Sequence, residues 1–493
     1  MDERARAGHP ERAGRAAETR RHWLDVLARY RRDADRPGSR DHWSPTLDCA
    51  SRDELTAIQN AKLAASVPFL YENSAFYRRR FARLGMTPDE IRSTGDLAKW
   101  PPIDKAEMMA DALAHPPYGT YTCVDDALWA ERGWMLFSSS GSTGTPRVFR
   151  YTQNDRETWA WANARALHAM GFRPRDSVLL ISGFGPHVWL WGVQAALVLM
   201  GIAVLPGGGL DAKARAGMIA RFKPTAIACT VSYALYLGRA LQELGLDPAA
   251  SSIDKLFIAG EPGAAIPHTR ERLQDLWGAR VVEFYGCTEA APHVGGYSCP
   301  AAEAPGRPVA THLMEDVQVW ELVDPDTHRP VADGERGLTV CTNLATEASP
   351  QLRFLVGDYA VFDRRPCACG RTHVRALGGF AGRADDLVNL RGVKMYPAQL
   401  EQAVRAVPGV GDEYEIVITA HDDGLDRMTV RVEHADGAIG AQVAASVRTH
   451  CEVRVDVEVL ARGTLPRTEF KAKRIRDLRG QTPDVTNQKP EGR

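Results

Sequence analysis

Phe137-Ser138-Ser139-Ser140-Gly141-Ser142-Thr143-Gly144-Thr145-Pro146-Arg147 is the densest run of hydroxyls and glycines in the chain. Such a run lets backbone N–H groups and Ser/Thr donors surround a polyphosphate. No Gly-Lys-Ser/Thr follows the first glycine at the Walker A spacing, so a P-loop NTPase is excluded. A hydroxyl-rich hairpin without a ligand is the other reading of the same residues. Around and after this stretch, from Trp134, short apolar runs alternate with helical segments. Ser177-Val178-Leu179-Leu180-Ile181, Ala226-Ile227-Ala228 and Lys255-Leu256-Phe257-Ile258-Ala259 each end near Gly, Ser or Pro. Strand, helix and strand in turn predict an α/β layered domain with parallel pairing.

Further out the pattern changes twice. After about Asp316 it becomes strand-rich, as in Val317-Gln318-Val319-Trp320. Beyond Gly382 come a helix (Pro397 to Val407), two strands (Glu415 to Thr419, Met428 to Glu433), a helix (Ala441 to Cys451) and a strand (Val453 to Leu460). That order makes a small α+β unit of roughly 100 residues, large enough to fold alone. Upstream, helices are expected over Arg52 to Leu70, with Ser51 and Asp53 as N-cap candidates, and over Ser74 to Leu84. The fold class is therefore α/β, with a large N-terminal multi-layer α/β domain, a β-rich portion and a small C-terminal α+β domain. The expected divisions are an extension over 1–45 with one amphipathic helix (Trp23, Leu24, Val26, Leu27, Tyr30), a large domain over 46–384, a small domain over 385–479 and a disordered tail over 480–493.

Composition narrows the function. Sixty-one Lys+Arg against 62 Asp+Glu give a net charge of -1, so no global basic field exists to hold a nucleic acid. The nine Cys are odd in number and scattered over 493 residues, which fits a reducing cytoplasm better than a disulfide framework. Met1 to Arg21 lacks the apolar core of a signal peptide. The apolar run Val188 to Leu205 contains Gly192, Gln194 and Gly201 and stops at Pro206-Gly207-Gly208-Gly209. It reads as a buried helix entering a short buried strand (Ile202 to Leu205), not as a membrane span.

Four more motifs carry chemistry. Glu283-Phe284-Tyr285-Gly286-Cys287-Thr288-Glu289 follows the expected strand Arg280 to Val282. A strand end delivering Tyr, Thr and Glu can stack a base, bind phosphate and ligate Mg²⁺, or can simply be a capped junction. In Val356-Gly357-Asp358 the carboxylate could accept from ribose hydroxyls, although Gly-Asp alone is usually a turn. Gly382-Arg383-Ala384-Asp385-Asp386-Leu387-Val388-Asn389-Leu390-Arg391-Gly392 and Leu465-Pro466-Arg467-Thr468-Glu469-Phe470-Lys471-Ala472-Lys473-Arg474 read separately as a solvated turn and a basic surface stretch.

The order of all five resembles the adenylate-forming superfamily of acyl-CoA synthetases, adenylation domains and luciferases, and within it the phenylacetate-CoA ligase family. The resemblance runs from about Ser44 to Asp477 and includes Tyr77-Arg78-Arg79-Arg80-Phe81, Gly207-Gly208-Gly209, Gly260-Glu261-Pro262, and Gly392 with Pro397 and Glu401. It implies that Ser138, Ser139, Ser140, Gly141, Ser142, Thr143, Gly144 and Thr145 hold the ATP phosphates. Gly260, Glu261, Phe284 and Tyr285 would surround adenine. Thr288 would touch phosphate, Glu289 would bind Mg²⁺, Asp358 the ribose, and Arg383 ribose or phosphate. The resemblance makes 46–384 an ATP- and acid-binding adenylation domain and 385–479 a small C-terminal α+β lid domain, mobile about Asp385 as the hinge, with Lys471 as the adenylation lysine. The chain departs from the family pattern at Thr145 (often Lys), at Leu355-Val356 (commonly Arg-Thr) and at Phe470 (normally Gly).

Cys367-Ala368-Cys369-Gly370 is a tight soft-ligand pair that by itself is open to two readings, a metal site or two free thiols in a loop. The resemblance adds Cys299 and His312, completing a structural zinc site. The acid pocket is expected near the run Phe184 to Trp191, with Phe184, His187 and Trp189 in it, and with Tyr233, Gly286 and Pro292-His293. Aromatic walls suit a planar aryl substrate; core packing is the alternative for each tryptophan. The expected reaction is attack of an aromatic carboxylate on the α-phosphate of ATP, then transfer from acyl-AMP to CoA. Two alternatives stand beside it: a diazotase of the same family that activates nitrite for an aromatic amine, and a non-catalytic nucleotide-binding scaffold. The expected partner is a small aryl molecule, with no nucleic acid or membrane, in a monomer or homodimer.

Overall fold

In the computed structural model the described residues are 9–31, 36–138, 147–185, 188–261, 265–290, 295–303, 309–380, 382–383, 388–390, 393–420, 426–466 and 474–479. The chain divides into two compact units, Met1–Ala384 and Asp385–Arg493.

The large unit opens with α1 (His9–Arg29) and α2 (Arg52–Asn73). Ser51 caps α2: its hydroxyl accepts from the Glu54 N–H while the Glu54 carboxylate accepts from the Ser51 N–H, which satisfies two end donors. Ser74 likewise caps the helix Ala75–Leu84, which Gly85 ends at φ 65°. An antiparallel hairpin follows, β1 (Gly133–Ser138) with β2 (Val148–Thr152), in which Ser138 faces Val148 across residues 139–146.

After α3 (Gln153–Ala169) come β3 (Ser177–Leu180), α4 (Trp189–Leu199), β4 (Ala203–Pro206), α5 (Ala212–Phe222), β5 (Ala226–Cys229), α6 (Val231–Glu243), β6 (Lys255–Ala259), α7 (Pro267–Trp277) and β7 (Arg280–Tyr285). Strands β4, β3, β5, β6 and β7 lie side by side and parallel. Side chains alternate across them. Val178, Leu180, Ala228, Phe257, Val282 and Phe284 enter one core with α3 and α4, and Leu179, Ile181, Ile227, Leu256, Ile258 and Val281 enter another with α6 and α7. A sheet buried on both faces in this way reads as continuous apolar runs, the pattern seen in the sequence.

Antiparallel strands extend the sheet from β7: β8 (Gly296–Ser298), β9 (Ala310–His312), β10 (Gln318–Val323), β11 (Arg336–Asn343), β12 (Phe354–Asp363) and β13 (Arg375–Leu377). The spatial order over the eleven strands is β10-β11-β12-β13-β9-β8-β7-β6-β5-β3-β4. One expectation fails here. β4 is the sheet's edge, with Ala203 and Pro206 exposed, and Val198 on α4 is 61% exposed. Lying last in the order, β4 has a neighbour on one side only, so its apolar residues do not mark a buried strand. No described helix is long and apolar enough to cross a membrane.

In the small unit β14 (Val388–Leu390) pairs with β15 (Val393–Met395), and α8 (Pro397–Arg405) follows. β16 (Tyr414–Thr419), β17 (Arg427–Glu433), α9 (Ile439–Cys451), β18 (Asp456–Leu460) and β19 (Ile475–Asp477) complete a four-stranded sheet in the order β18-β17-β16-β19. Its core joins Leu400, Val404, Ile416, Ile418, Val430, Val432, Val443 and Val447.

The segment over 1–45 contributes to the large core. Trp23 is 1% exposed, stacks on Phe69 at 4.8 Å and donates its indole N–H to Leu344 O at 3.2 Å. Trp23→Ala is expected to cost about 3–5 kcal/mol of stability, read as a lowered denaturant midpoint. A loss under about 1 kcal/mol would mean that α1 is only an appendage.

Candidate active site

The C-terminal ends of β6 and β7 bring two motifs together. Ala259 is in register with Phe284, so Gly260-Glu261 leaves the sheet beside Tyr285-Gly286. Gly260 has φ +88°, a left-handed conformation that only glycine adopts without strain. Glu261 accepts from the Ser232 N–H at 2.9 Å, which ties this turn to the start of α6. Such strand ends are where open α/β sheets bind ligands.

The turn after β7 is held by side chains from three other elements. Tyr151 donates to Thr288 O at 3.1 Å, and Gln318 and Asn343 donate to Ala290 O at 2.6 and 3.1 Å. Between these anchors lies Glu289, buried and ion-paired with the buried Arg147, the residue that ends the hydroxyl-rich loop. The Arg147 guanidinium also stands 5.8 Å from the Phe149 ring centroid. Burial, then the Glu289 and Asp358 charges, push the Cys287 thiol well above its ordinary range.

Asp358 joins the same corner. Tyr285 donates its hydroxyl to the Asp358 carboxylate, and Arg383 lies 3.6 Å from that carboxylate's other oxygen. Backbone pairing of Asp358 with Arg383, and a Tyr359 N–H to Gly382 O bond of 2.8 Å, fix the two segments together. Burial, then the Asp358 charge, holds the Tyr285 hydroxyl protonated well beyond its usual range. The Phe380 ring lies over Tyr285 at 3.3 Å and 9°. Gly260, Glu261, Tyr285, Thr288, Glu289, Asp358 and Arg383 thus surround one end of the sheet. Ser139–Thr145, His187, Pro292, Asp385 and Lys471 lie outside the described residues.

Three expectations need correction. Phe284 and Tyr285 are consecutive in a strand and point to opposite faces. Phe284 packs edge-on to Phe257 at 5.7 Å inside the core, so its side chain is withdrawn from the adenine set. Tyr233 is 1% exposed in the core on the α6 face, and its hydroxyl accepts from Arg215, which also donates to Gly207 O at 3.0 Å and Ile181 O at 3.1 Å. It braces the glycine-rich turn from inside that core. Trp189 turns to Phe257 at 6.2 Å on the other face.

Phe184 and Trp191, the two ends of the expected Phe184 to Trp191 run, do meet, and they join a set of aromatic rings. Phe184, 36% exposed, meets Trp191 edge-on at 4.9 Å, and Trp191 meets Phe137 of β1 at 6.5 Å. Behind them Trp159 packs against both Phe137 and Tyr151 at 5.7 Å. A Cβ on Gly192 would collide with Trp159, so the glycine lets α4 approach α3 and sets Trp191 in place. Phe137 and Arg147 stand at the two ends of the hydroxyl-rich stretch but were given no role of their own, and Phe380 was not singled out. Arg147 had one visible signal, a cation two positions after the Thr145 that stands where a lysine is usual.

A second constellation lies on the antiparallel side of the sheet. Cys299 follows β8, His312 ends β9, and Cys367 and Cys369 sit on the loop between β12 and β13. Their four ligand atoms all lie within 4.8 Å of one another. The Cys299 and Cys367 sulfurs are 3.3 Å apart and unbonded, and Cys369 Sγ is 3.3 Å from His312 Nε2. His312 Nδ1 is 3.1 Å from the His373 carbonyl, which can only accept, so the proton sits on Nδ1 and the Nε2 lone pair faces the thiols. Zn–S bonds of about 2.3 Å place tetrahedral sulfurs roughly 3.8 Å apart, so the donor set fits this metal with little adjustment.

Comparison with known proteins bears on the fold and the family. Residues 93–342 match the family model for AMP-binding enzyme, and residues 392–479 match that for AMP-binding enzyme C-terminal domain. A phenylacetate-coenzyme A ligase of Thermus thermophilus is 31% identical over 460 residues, spanning 89% of this chain and 99% of that protein. One from Escherichia coli is 30% identical, spanning 88% and 97%. Among solved structures, a 2-hydroxyisobutyryl-CoA ligase in its postadenylation state superposes with a TM-score of 0.83 at 28% identity, covering 90% of this chain and 93% of that one.

Proposed function

This chain belongs to the AMP-binding, adenylate-forming enzymes, in their phenylacetate-CoA ligase family, and we propose that it activates an aromatic carboxylic acid. It is a ligase that forms acyl-AMP and then a CoA thioester. The aromatic choice is supported above all by the Phe184–Trp191–Phe137 series, which runs from the end of β3 to the strand that enters the hydroxyl-rich loop. Phe184 meets Trp191 edge-on and Phe137 lies tilted beyond it, a set of rings that suits the face of an aryl group better than a small branched hydroxy acid.

In this reading Tyr285 supports the adenine base and the Asp358 carboxylate accepts from ribose hydroxyls, with Arg383 beside it. Ser138 to Thr145 hold the phosphates, and Glu289 supplies the hard oxygen that the Mg²⁺ of Mg·ATP takes. Bound there, Mg²⁺ would neutralise charge on the phosphate oxygens. No general base is needed, because the acid is already ionised at neutral pH. Pyrophosphate release tests the reading, with arms for aryl acids plus CoA, 2-hydroxyisobutyrate plus CoA, and nitrite plus aryl amines. Release with aryl acids is expected; release confined to either other arm would overturn it.

Cys299, His312, Cys367 and Cys369 would hold a structural zinc with no open position for substrate. About one zinc per chain is expected in protein purified without added metal. Cys367→Ser should lower zinc content and melting temperature together and leave acid preference unchanged. A metal-free protein with the same melting temperature would contradict the assignment.

A further inference from the structure

Gly171, Arg173, Pro174 and Arg175, in the turn that feeds β3, form with Arg40 a solvent-open cavity of about 420 Å³. It lies at the N-terminal ends of the parallel strands, where Arg280 opens β7. Gly260 and Tyr285 are at the opposite ends, so five- and six-residue strands separate the two places by roughly 17–20 Å.

Among the described residues, the positive charge of this cavity is only partly compensated. Arg173 spends its guanidinium on backbone carbonyls, those of His168 and Phe172 at 2.7 Å and Arg40 at 2.8 Å, which orient it without neutralising it. The Arg40 and Arg175 side chains have no ion pair among the described residues. Of the nearby carboxylates, Asp176 is engaged by Lys255 at 3.1 Å and Thr225 at 3.0 Å, while Asp41 attracts Arg173. Burial lowers the Arg173 pKa most; Asp41 and Asp176 raise it, Arg175 and Arg40 lower it, and the net shift is downward. Gly171 has φ +91°, and a Cβ there would stand 2.9 Å from Arg280 Nη1, so the floor stays free of a side chain.

We propose that this cavity binds a small phosphate anion, a pyrophosphate or the phosphate ester of a nucleotide, at a site separate from the ATP loop. Guanidinium forks match phosphate oxygens in pairs, and a dianion relieves the repulsion among crowded cations. A volume near 420 Å³ admits a diphosphate or a mononucleotide. The site does not depend on the identity of the activated acid.

Equilibrium dialysis at physiological ionic strength tests it, with inorganic pyrophosphate in one arm and adenosine 3′,5′-bisphosphate in the other. Wild-type protein is compared with the Arg40→Ala, Arg175→Ala double variant, whose changes fall on exposed side chains away from the catalytic end. Wild type should retain about one anion per chain more than the variant, with affinity at this site falling at least about tenfold. Adenylation rates of the two proteins should match. An excess with pyrophosphate only identifies the inorganic anion as ligand, and an excess with the bisphosphate identifies the nucleotide ester. Equal retention by both proteins in both arms would overturn the proposal.

Discussion

Replacing Lys471 by alanine is expected to slow adenylate formation by about three orders of magnitude while ATP affinity changes little. An anionic oxygen must approach an anionic α-phosphate, and like-charge repulsion opposes the step until a cation sits between them. Lysine supplies a compact charge on a flexible stem, suited to bridging the attacking oxyanion and a phosphate oxygen. At about 4 Å and an effective dielectric of about 20, one unit charge contributes roughly 4 kcal/mol, or three decades of rate. The stretch around Lys471 has anchored flanks. Leu465 donates its N–H to Glu433 at 2.7 Å, and Arg474 pairs with Glu413 at 2.9 Å and lies over the Tyr414 ring at 4.6 Å. Lys473→Ala carries the same charge loss in the same run and is the internal control. Rapid-quench measurement of acyl-AMP separates the two variants. Equal rates would remove Lys471 from the mechanism and point to Phe470, in the usual glycine position, as redirecting it.

Asp385→Pro is expected to abolish thioester formation while acyl-AMP still accumulates. The chain divides into its two compact units between residues 384 and 385, next to the Asp358–Arg383 bridge. A hinge concentrates a conformational change in one or two residues' φ and ψ, and proline fixes φ near about -65°. If the small unit turns about Asp385 between half-reactions, a locked hinge stops the second and spares the first. Single-turnover assays report the two steps separately: adenylate by quenched ATP consumption, transfer by CoA thioester from synthetic acyl-AMP. Equal loss of both would place the hinge elsewhere.

The parallel half of the sheet was legible because buried strands leave continuous apolar runs. Lys255–Ala259 emerges with the expected limits, and the helix over Arg52–Asn73 starts at its capping Ser51. Short elements were not legible. β14, β15 and β19 are three residues each, too short for a period-two pattern to stand out. β4 shows a different failure, since an edge strand can be as apolar as a central one. At the site, the motifs located the strand ends and turns, but the partners came from tertiary structure. Nothing local announces that Arg147 meets Glu289, that Phe380 covers Tyr285, or that Trp191 rather than Trp189 joins Phe137. The separation of Phe284 from Tyr285 was available in principle, because neighbouring residues of any strand face opposite ways.

The central claim is that an aryl carboxylate is activated as its adenylate and passed to CoA, and oxygen tracing tests it most directly. The attacking carboxylate oxygen becomes the bridge to phosphorus. When the thiol attacks the carbonyl carbon, the carbon–oxygen bond breaks and AMP leaves with that oxygen. Turnover of a carboxyl-¹⁸O-labelled aryl acid with ATP and CoA should therefore give AMP carrying one labelled oxygen and one equivalent of aryl-CoA, both read by mass spectrometry. Unlabelled AMP alongside the thioester, or AMP release from aryl acids with no thioester, would contradict the account.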